Sequence, residues 1–180
     1  AAASDTLATS YILSCAVRRL GHVDLVFCGR QAIDGDTAQV GPQCAEKLGL
    51  PQVTYLEEIV DVSSNSITAR RNLGNGYEVV KCPLPALLTV TDTFAEPRPR
   101  AAKAIMRWKR ARALVELQRD AVAAHGSDKE AQAADVERAK AALEKAGMLI
   151  QQWDLDDISA DLQWCGRDGS PTKVKRIQNV

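Results

Sequence analysis

The densest concentration of groups able to do chemistry is the stretch Gly29-Arg30-Gln31-Ala32-Ile33-Asp34-Gly35-Asp36-Thr37-Ala38-Gln39-Val40-Gly41-Pro42. It follows directly on a β-branched and aromatic run, Val23 to Cys28, that reads as a buried strand. A helix is predicted to begin near Thr37 and to run to Lys47 or Leu48, with Gly49 and Pro51 closing it. Open α/β sheets bind ligands beyond the carboxyl ends of their strands, where loop amides and a helix N-terminus converge. Amides of Thr37, Ala38 and Gln39 at the positive end of such a helix suit a phosphate. Asp34 and Asp36 suit ribose hydroxyls or an adenine amino group. The stretch is neither a Walker loop nor a G-x-G-x-x-G fingerprint. On chemistry alone, a nucleotide loop and an ordinary strand-to-helix turn both stay open.

Other chemistry is sparse. The five cysteines, Cys15, Cys28, Cys44, Cys82 and Cys165, are odd in number and lack Cys-x-x-Cys spacing, so reduced thiols are expected and neither a disulfide frame nor a metal site. Neither of the two histidines, His22 and His125, lies near a nucleophile signature, which argues against triad catalysis. The 180 residues carry 23 basic and 23 acidic side chains, and this zero balance argues against a general binder of nucleic acid or of membrane surfaces. No apolar run approaches the roughly 18–20 residues of a membrane span, and the first residues show no secretion signal.

The elements that must position the loop form an α/β pattern. Ser4 or Asp5 can cap a first helix whose apolar residues recur from Leu7 to Leu20, with Gly21 as the stop. A parallel sheet that opens on a helix leaves one side uncovered, so further strands are expected ahead of this chain or from another. Residues 52–82 read as antiparallel strands with turns at Ser63-Ser64-Asn65 and Gly74-Asn75-Gly76, making the sheet mixed. Arg70 and Arg71 lie there, as solvated strand residues or as contacts to a ligand or partner.

These residues resemble a known family. Asp24 to Gly41 is similar, nearly residue for residue, to the nucleotide-binding loop of electron transfer flavoprotein beta subunits. Leu84 to Thr91, Glu96-Pro97-Arg98 and Ile105-Met106 resemble that family's second signature, and Ser4 to Thr9 its first helix. The resemblance implies an adenine-nucleotide alpha hydrolase-like, Rossmann-like α/β fold: a mixed or parallel sheet with helices on both faces, incomplete at the N-terminus. It also implies an alpha-subunit partner that holds FAD, and in this subunit either AMP or, in the electron-bifurcating branch, a second FAD. By the same resemblance Gly29 to Val40 wraps the nucleotide, and Asp5 and Thr6 face it or serve as caps.

Beyond the sheet the chain is basic. Arg98, Arg100, Lys103, Arg107, Lys109, Arg110, Arg112 and Arg119 face a single acid, Glu116, up to residue 119. In the family this segment docks onto partner dehydrogenases, which nominates Arg98, Arg100, Ala102, Lys103, Met106 and Arg107. Ala102 stands where the family has a larger aliphatic anchor and Pro99 where it has Tyr, which leaves a partner other than the usual acyl-CoA dehydrogenase open. Helices are predicted over about 102–120 and 129–146, broken at His125 to Asp128, as a partner-binding hairpin or a decorated linker. The end, Cys165-Gly166-Arg167-Asp168-Gly169-Ser170-Pro171-Thr172-Lys173-Val174, resembles the branch containing bifurcating members and, by that likeness, packs on the alpha subunit.

The expected organisation is therefore a nucleotide-binding domain over 1–97, a basic segment and helical arm over 98–150, and a tail over 151–180. The expected role is electron transfer between a dehydrogenase or reductase and another acceptor, in a prokaryotic cytoplasm. The alternatives are an AMP-binding structural subunit of a larger dehydrogenase complex and a nucleotide-binding domain without redox activity.

Overall fold

The computed structural model describes residues 3–172. The chain divides into two compact units, one holding residues up to Glu96 and those from Leu155 onward, the other Pro97–Asp154.

The first unit opens with helix α1, Thr6–Leu20, capped by Asp5, whose Oδ1 accepts the Ala8 N–H at 2.9 Å. Strand β1, Leu25–Gly29, and helix α2, Val40–Leu48, flank the loop. Strands β2, Gln52–Val62, β3, Ser66–Asn72, β4, Tyr77–Pro83, and β5, Ala86–Val90, complete a sheet of order β1-β5-β2-β3-β4. The β1/β5 and β5/β2 pairs are parallel, while β2/β3 and β3/β4 are antiparallel. The sheet is thus mixed, as the turn residues require.

β5 is central, and its side chains alternate between two cores. Ala86 and Leu88 join Leu56, Ile67, Ala69 and Cys82 on one face, whereas Leu87 packs with Cys44, Ala45 and Val26 beneath α2 on the other. α1 lies against α2, and the Arg18 guanidinium donates to the Lys47 carbonyl. β1 has β5 as its single strand partner among the described residues, so its outer edge is open. Phe27 on that edge strand is 53% exposed.

Residues 155–172 return to α1. Ile158, Ala160 and Cys165 pack on Tyr11, Ile12 and Cys15; the Asp161 N–H donates to the Tyr11 hydroxyl at 2.9 Å, and the Ser170 hydroxyl donates to Asp5 Oδ2 at 2.5 Å. This part of the tail is therefore closed against its own chain. Lys173 and Val174 of the tail motif lie outside the described residues.

In the second unit, the single helix predicted over 102–120 is two. Helix α3 spans Ala102–Trp108, strand β6 is Arg112–Ala113, and helix α4 spans Leu114–His125. β6 pairs in parallel with β7, Leu149–Ile150, and the Arg112 N–H donates to the Met148 carbonyl at 3.1 Å. That nonlocal pairing overrides good local helix propensity. Helix α5, Lys129–Lys145, capped by Asp128, packs on α4 as an αα-hairpin and fully buries no residue. Gln132, Val136, Ala139 and Leu143 are half-buried along it, whereas Ala133 and Ala142 are exposed.

Candidate functional site: the cleft at the carboxyl ends of β1 and β5

Gly29 ends β1 opposite Val90, and the Arg30 N–H donates to the Val90 carbonyl at 3.0 Å, so the loop leaves from a fixed point. Inside it, the Asp36 N–H donates to the Ala32 carbonyl at 3.0 Å and the Gln31 amide to Asp36 Oδ1 at 2.9 Å. The Gly35 N–H donates to Asp34 Oδ1 at 2.9 Å. Asp36 and Ala38 take positive φ, 47° and 53°. Aspartate tolerates that region, whereas alanine is strained there.

These two residues correct the predicted helix start. Left-handed backbone cannot continue a right-handed helix, so α2 begins at Val40 rather than near Thr37. The amides in its first turn are those of Val40 and Gly41, which lack an acceptor within the helix, while Pro42 has no N–H. Gly41 lets α2 approach the sheet: a Cβ there would lie 2.7 Å from Thr89 Cγ2 and 3.4 Å from Cys28 Cβ.

A cleft of about 410 Å³ opens above this approach. It brings together Gly29, Arg30, Gln31, Ala32, Thr37, Ala38, Gln39 and Val40 of the predicted site residues. Ile33 and Asp36 line an adjoining cleft of about 430 Å³ with Val90 and Thr91. Asp34 and Gly35 line neither. Thr6 reaches the loop through its hydroxyl, which donates to Gln39 Oε1 at 2.8 Å. Asp5 is the α1 cap, and its two carboxylate oxygens accept from Ala8 and Ser170. Leu13, Cys28 and Gly41 also line the first cleft and were not expected there. Cys28 and Gly41 could have been foreseen from their places at the strand end and helix start; nothing local marks Leu13.

Four of the thiols are not poised for nucleophilic work. Burial raises the pKa of Cys28, Cys82 and Cys165, and pushes Cys44 up to about 11, with the neighbouring Cys28 adding to the rise and Lys47 opposing it. All five are free. Among the described residues no cluster of His, Cys, Asp or Glu is arranged to hold a metal ion, and no helix is long and apolar enough to cross a membrane.

The model of the electron transfer flavoprotein domain family matches residues 1–142. The chain belongs to the electron transfer flavoprotein family. Over 173 residues it is 38% identical to the electron transfer flavoprotein subunit beta of Clostridium acetobutylicum, covering 96% of this chain and 52% of the relative. It is 34% identical, over 173 residues, to a subunit of the caffeyl-CoA reductase–Etf complex of Acetobacterium woodii, covering 96% and 52%. Over 106 residues it is 49% identical to the acryloyl-CoA reductase electron transfer subunit gamma of Anaerotignum propionicum, covering 57% and 39%. The chain thus spans about half the length of the curated relatives it matches along its whole extent.

The second unit of this electron transfer flavoprotein chain carries the residues expected to dock a partner. Arg98 and Arg100 are exposed in the segment leading to α3, and Ala102, Lys103, Met106 and Arg107 are exposed on α3, which buries none of its residues. Met106 is 60% exposed and Trp108 54%, with the Arg107 guanidinium 5.0 Å from the Trp108 ring centre. In α4, the Ala113 N–H holds the Glu116 carboxyl below its ordinary pKa, with help from Arg112 and Arg119.

Proposed function

We propose that the chain is the nucleotide-binding part of a beta-type electron transfer flavoprotein subunit. It holds an adenine nucleotide, AMP or FAD, beneath Gly29 to Val40 and works with an alpha subunit that carries FAD. The observation that carries this is the cleft itself: loop, helix N-terminus and strand ends converge on one concavity at the carboxyl edge of the parallel strands. Its residues suit the ligand. The Val40 and Gly41 amides, at the positive end of α2, take a phosphate. The Thr37 hydroxyl takes a sugar hydroxyl, and so does the Asp36 carboxylate, oriented by Gln31, from the adjoining cleft. Thr6 stays in place as the brace of Gln39. When a flavin is present it supplies the one- and two-electron chemistry, and the chain supplies binding, orientation and exclusion of water.

The electron donor or acceptor is a dehydrogenase or reductase of the acyl-CoA type, in a bacterial cytoplasm. Support comes from relatives whose names place them with acryloyl-CoA and caffeyl-CoA reductases. The exposed basic and apolar face of α3 is the docking element for that enzyme. The test is the visible spectrum of the complex formed by the full-length chain and its alpha partner, together with the nucleotides released on denaturation. One flavin plus one AMP per complex supports electron transfer without bifurcation, and two flavins support the bifurcating form. AMP with no flavin would favour the structural-subunit alternative. Release of no adenine nucleotide attributable to this subunit would overturn the nucleotide assignment.

A further inference from the structure

A third cleft, of about 570 Å³, shares Arg30 with the nucleotide loop and is otherwise lined from β2, from the end of β3 and from the segment after β5. It is lined by Arg30, Tyr55, Arg71, Thr91, Asp92 and Thr93, among others. The volume is in the range of small-molecule sites.

The two arginines of β3 are used differently. Arg70 pairs with Glu58 at 2.8 Å, lies 3.7 Å from Glu57 and covers the Tyr77 ring, although its Nε, like that of Arg71, is buried without a hydrogen-bond acceptor among the described residues. Arg71 donates through Nη2 to Thr54 Oγ1 at 3.0 Å, and its nearest carboxylate, Glu78, is 3.9 Å away. Its Nε is buried with no acceptor among the described residues. A buried cationic donor left without an acceptor is unfavourable, and an oxyanion relieves it. Arg30 makes no ion pair among the described residues and projects from the loop onto the same cleft. Among the lining residues two guanidinium groups stand against one carboxylate, Asp92, with Glu78 beside Arg71 at 3.9 Å.

The remaining wall is fixed. Tyr55 sits at the break in the β2/β5 pairing with a positive φ of 56°, and its N–H donates to Thr89 Oγ1 at 3.0 Å. Unfavourable backbone of this kind persists only where its surroundings impose it. The Thr91 hydroxyl donates to the Leu56 carbonyl at 2.8 Å, so in the 3.0 Å hydrogen bond between Thr91 and Thr93 the Thr93 hydroxyl is the donor and the wall is held from both ends.

We infer that this cleft is a second anion site, sharing Arg30 with the nucleotide loop, in which Arg30 and Arg71 hold the phosphate or carboxylate group of a small molecule against Tyr55. The inference does not rest on the occupancy of the loop. The experiment titrates the complex of the full-length chain and its partner subunit calorimetrically with pyrophosphate and, separately, with malonate; the tighter probe identifies the source of the oxyanion. Saturable binding of one probe per chain is expected. R71Q weakens it at least about tenfold, since a charge-assisted hydrogen bond is lost, and R71K weakens it less. D92N, an exposed change with little bearing on folding, tightens it. The adenine nucleotide released on denaturation stays the same in all three variants. Equal binding in wild type and R71Q, no tightening in D92N, or loss of probe binding together with the bound nucleotide would each overturn the inference.

Discussion

Gly41→Ala is the substitution that most directly probes how α2 is seated. The added Cβ would meet Thr89 Cγ2 at 2.7 Å, closer than such contacts occur, and Cys28 Cβ at 3.4 Å. Thr89 cannot simply turn away. It is 2% exposed, and its hydroxyl is held by the Tyr55 N–H at 3.0 Å. Either α2 lifts off the sheet or that hydrogen bond breaks. Overpacking of this kind costs about 1–3 kcal/mol, offset by up to about 1 kcal/mol from the better helix propensity of alanine. A net loss of about 1–2 kcal/mol lowers the melting temperature by roughly 2–8 °C for a chain of this size. Thr89→Ser removes Cγ2 but keeps the hydroxyl. Alone it costs on the order of 1 kcal/mol for the lost buried methyl, yet in the double variant it restores most of what Gly41→Ala removes. Thermal unfolding of the four proteins therefore gives a coupling of about 1 kcal/mol or more. Additive effects, or a Gly41→Ala protein as stable as wild type, would refute the close approach of helix and strand.

Asp5→Ala removes the α1 cap and the acceptor of the Ser170 hydroxyl; a loss of about 1 kcal/mol or more is expected, with faster proteolysis within residues 155–172. Cys44 has a folded pKa of about 11, above the ordinary thiol value of about 8.5, so its contribution to stability is complete below about pH 8.5 and is lost as pH rises through about 11. Wild type should accordingly lose stability between those limits more steeply than Cys44→Ala in urea titrations, and Cys44 should react slowly with maleimide at neutral pH. At Ala38, with φ 53°, glycine should be neutral or stabilising, whereas Ala38→Val should distort the loop and lower the nucleotide released from the purified complex. Met106→Asp on exposed α3 should slow electron exchange with the partner enzyme while leaving nucleotide content unchanged.

What was legible in the sequence, and what was not, follows from how local each cause is. The β1 run and the Gly-Asp-Thr loop after it announce a strand end and a strand-to-helix turn. The hairpin glycines announce β3 and β4, and Ser4-Asp5 announces an α1 cap that the structure gives to Asp5. The start of α2 was misplaced by three residues because the left-handed conformations of Asp36 and Ala38 leave no mark on residue type at Ala38. The break between α3 and α4 was invisible for a different reason. Lys109 to Ala111 favour helix, and the interruption comes from the pairing of Arg112 and Ala113 with residues nearly forty positions away. The two arginines of β3 looked alike in sequence. Only their carboxylate partners, supplied by β2 and β4, separate the close ion pair of Arg70, at 2.8 Å, from the looser one of Arg71, at 3.9 Å.

The central claim, that Gly29 to Val40 holds an adenine nucleotide, is tested most directly by amide hydrogen exchange on the complex of the full-length chain with its alpha partner, stripped of nucleotide and then reloaded with AMP or FAD. Ligand that orders the loop slows exchange there. The expected result is protection concentrated in peptides covering residues 29–41, including the Val40 and Gly41 amides, with β3 and β4 unchanged. Protection confined to other segments, or unchanged exchange in residues 29–41 at saturating nucleotide, would contradict the claim.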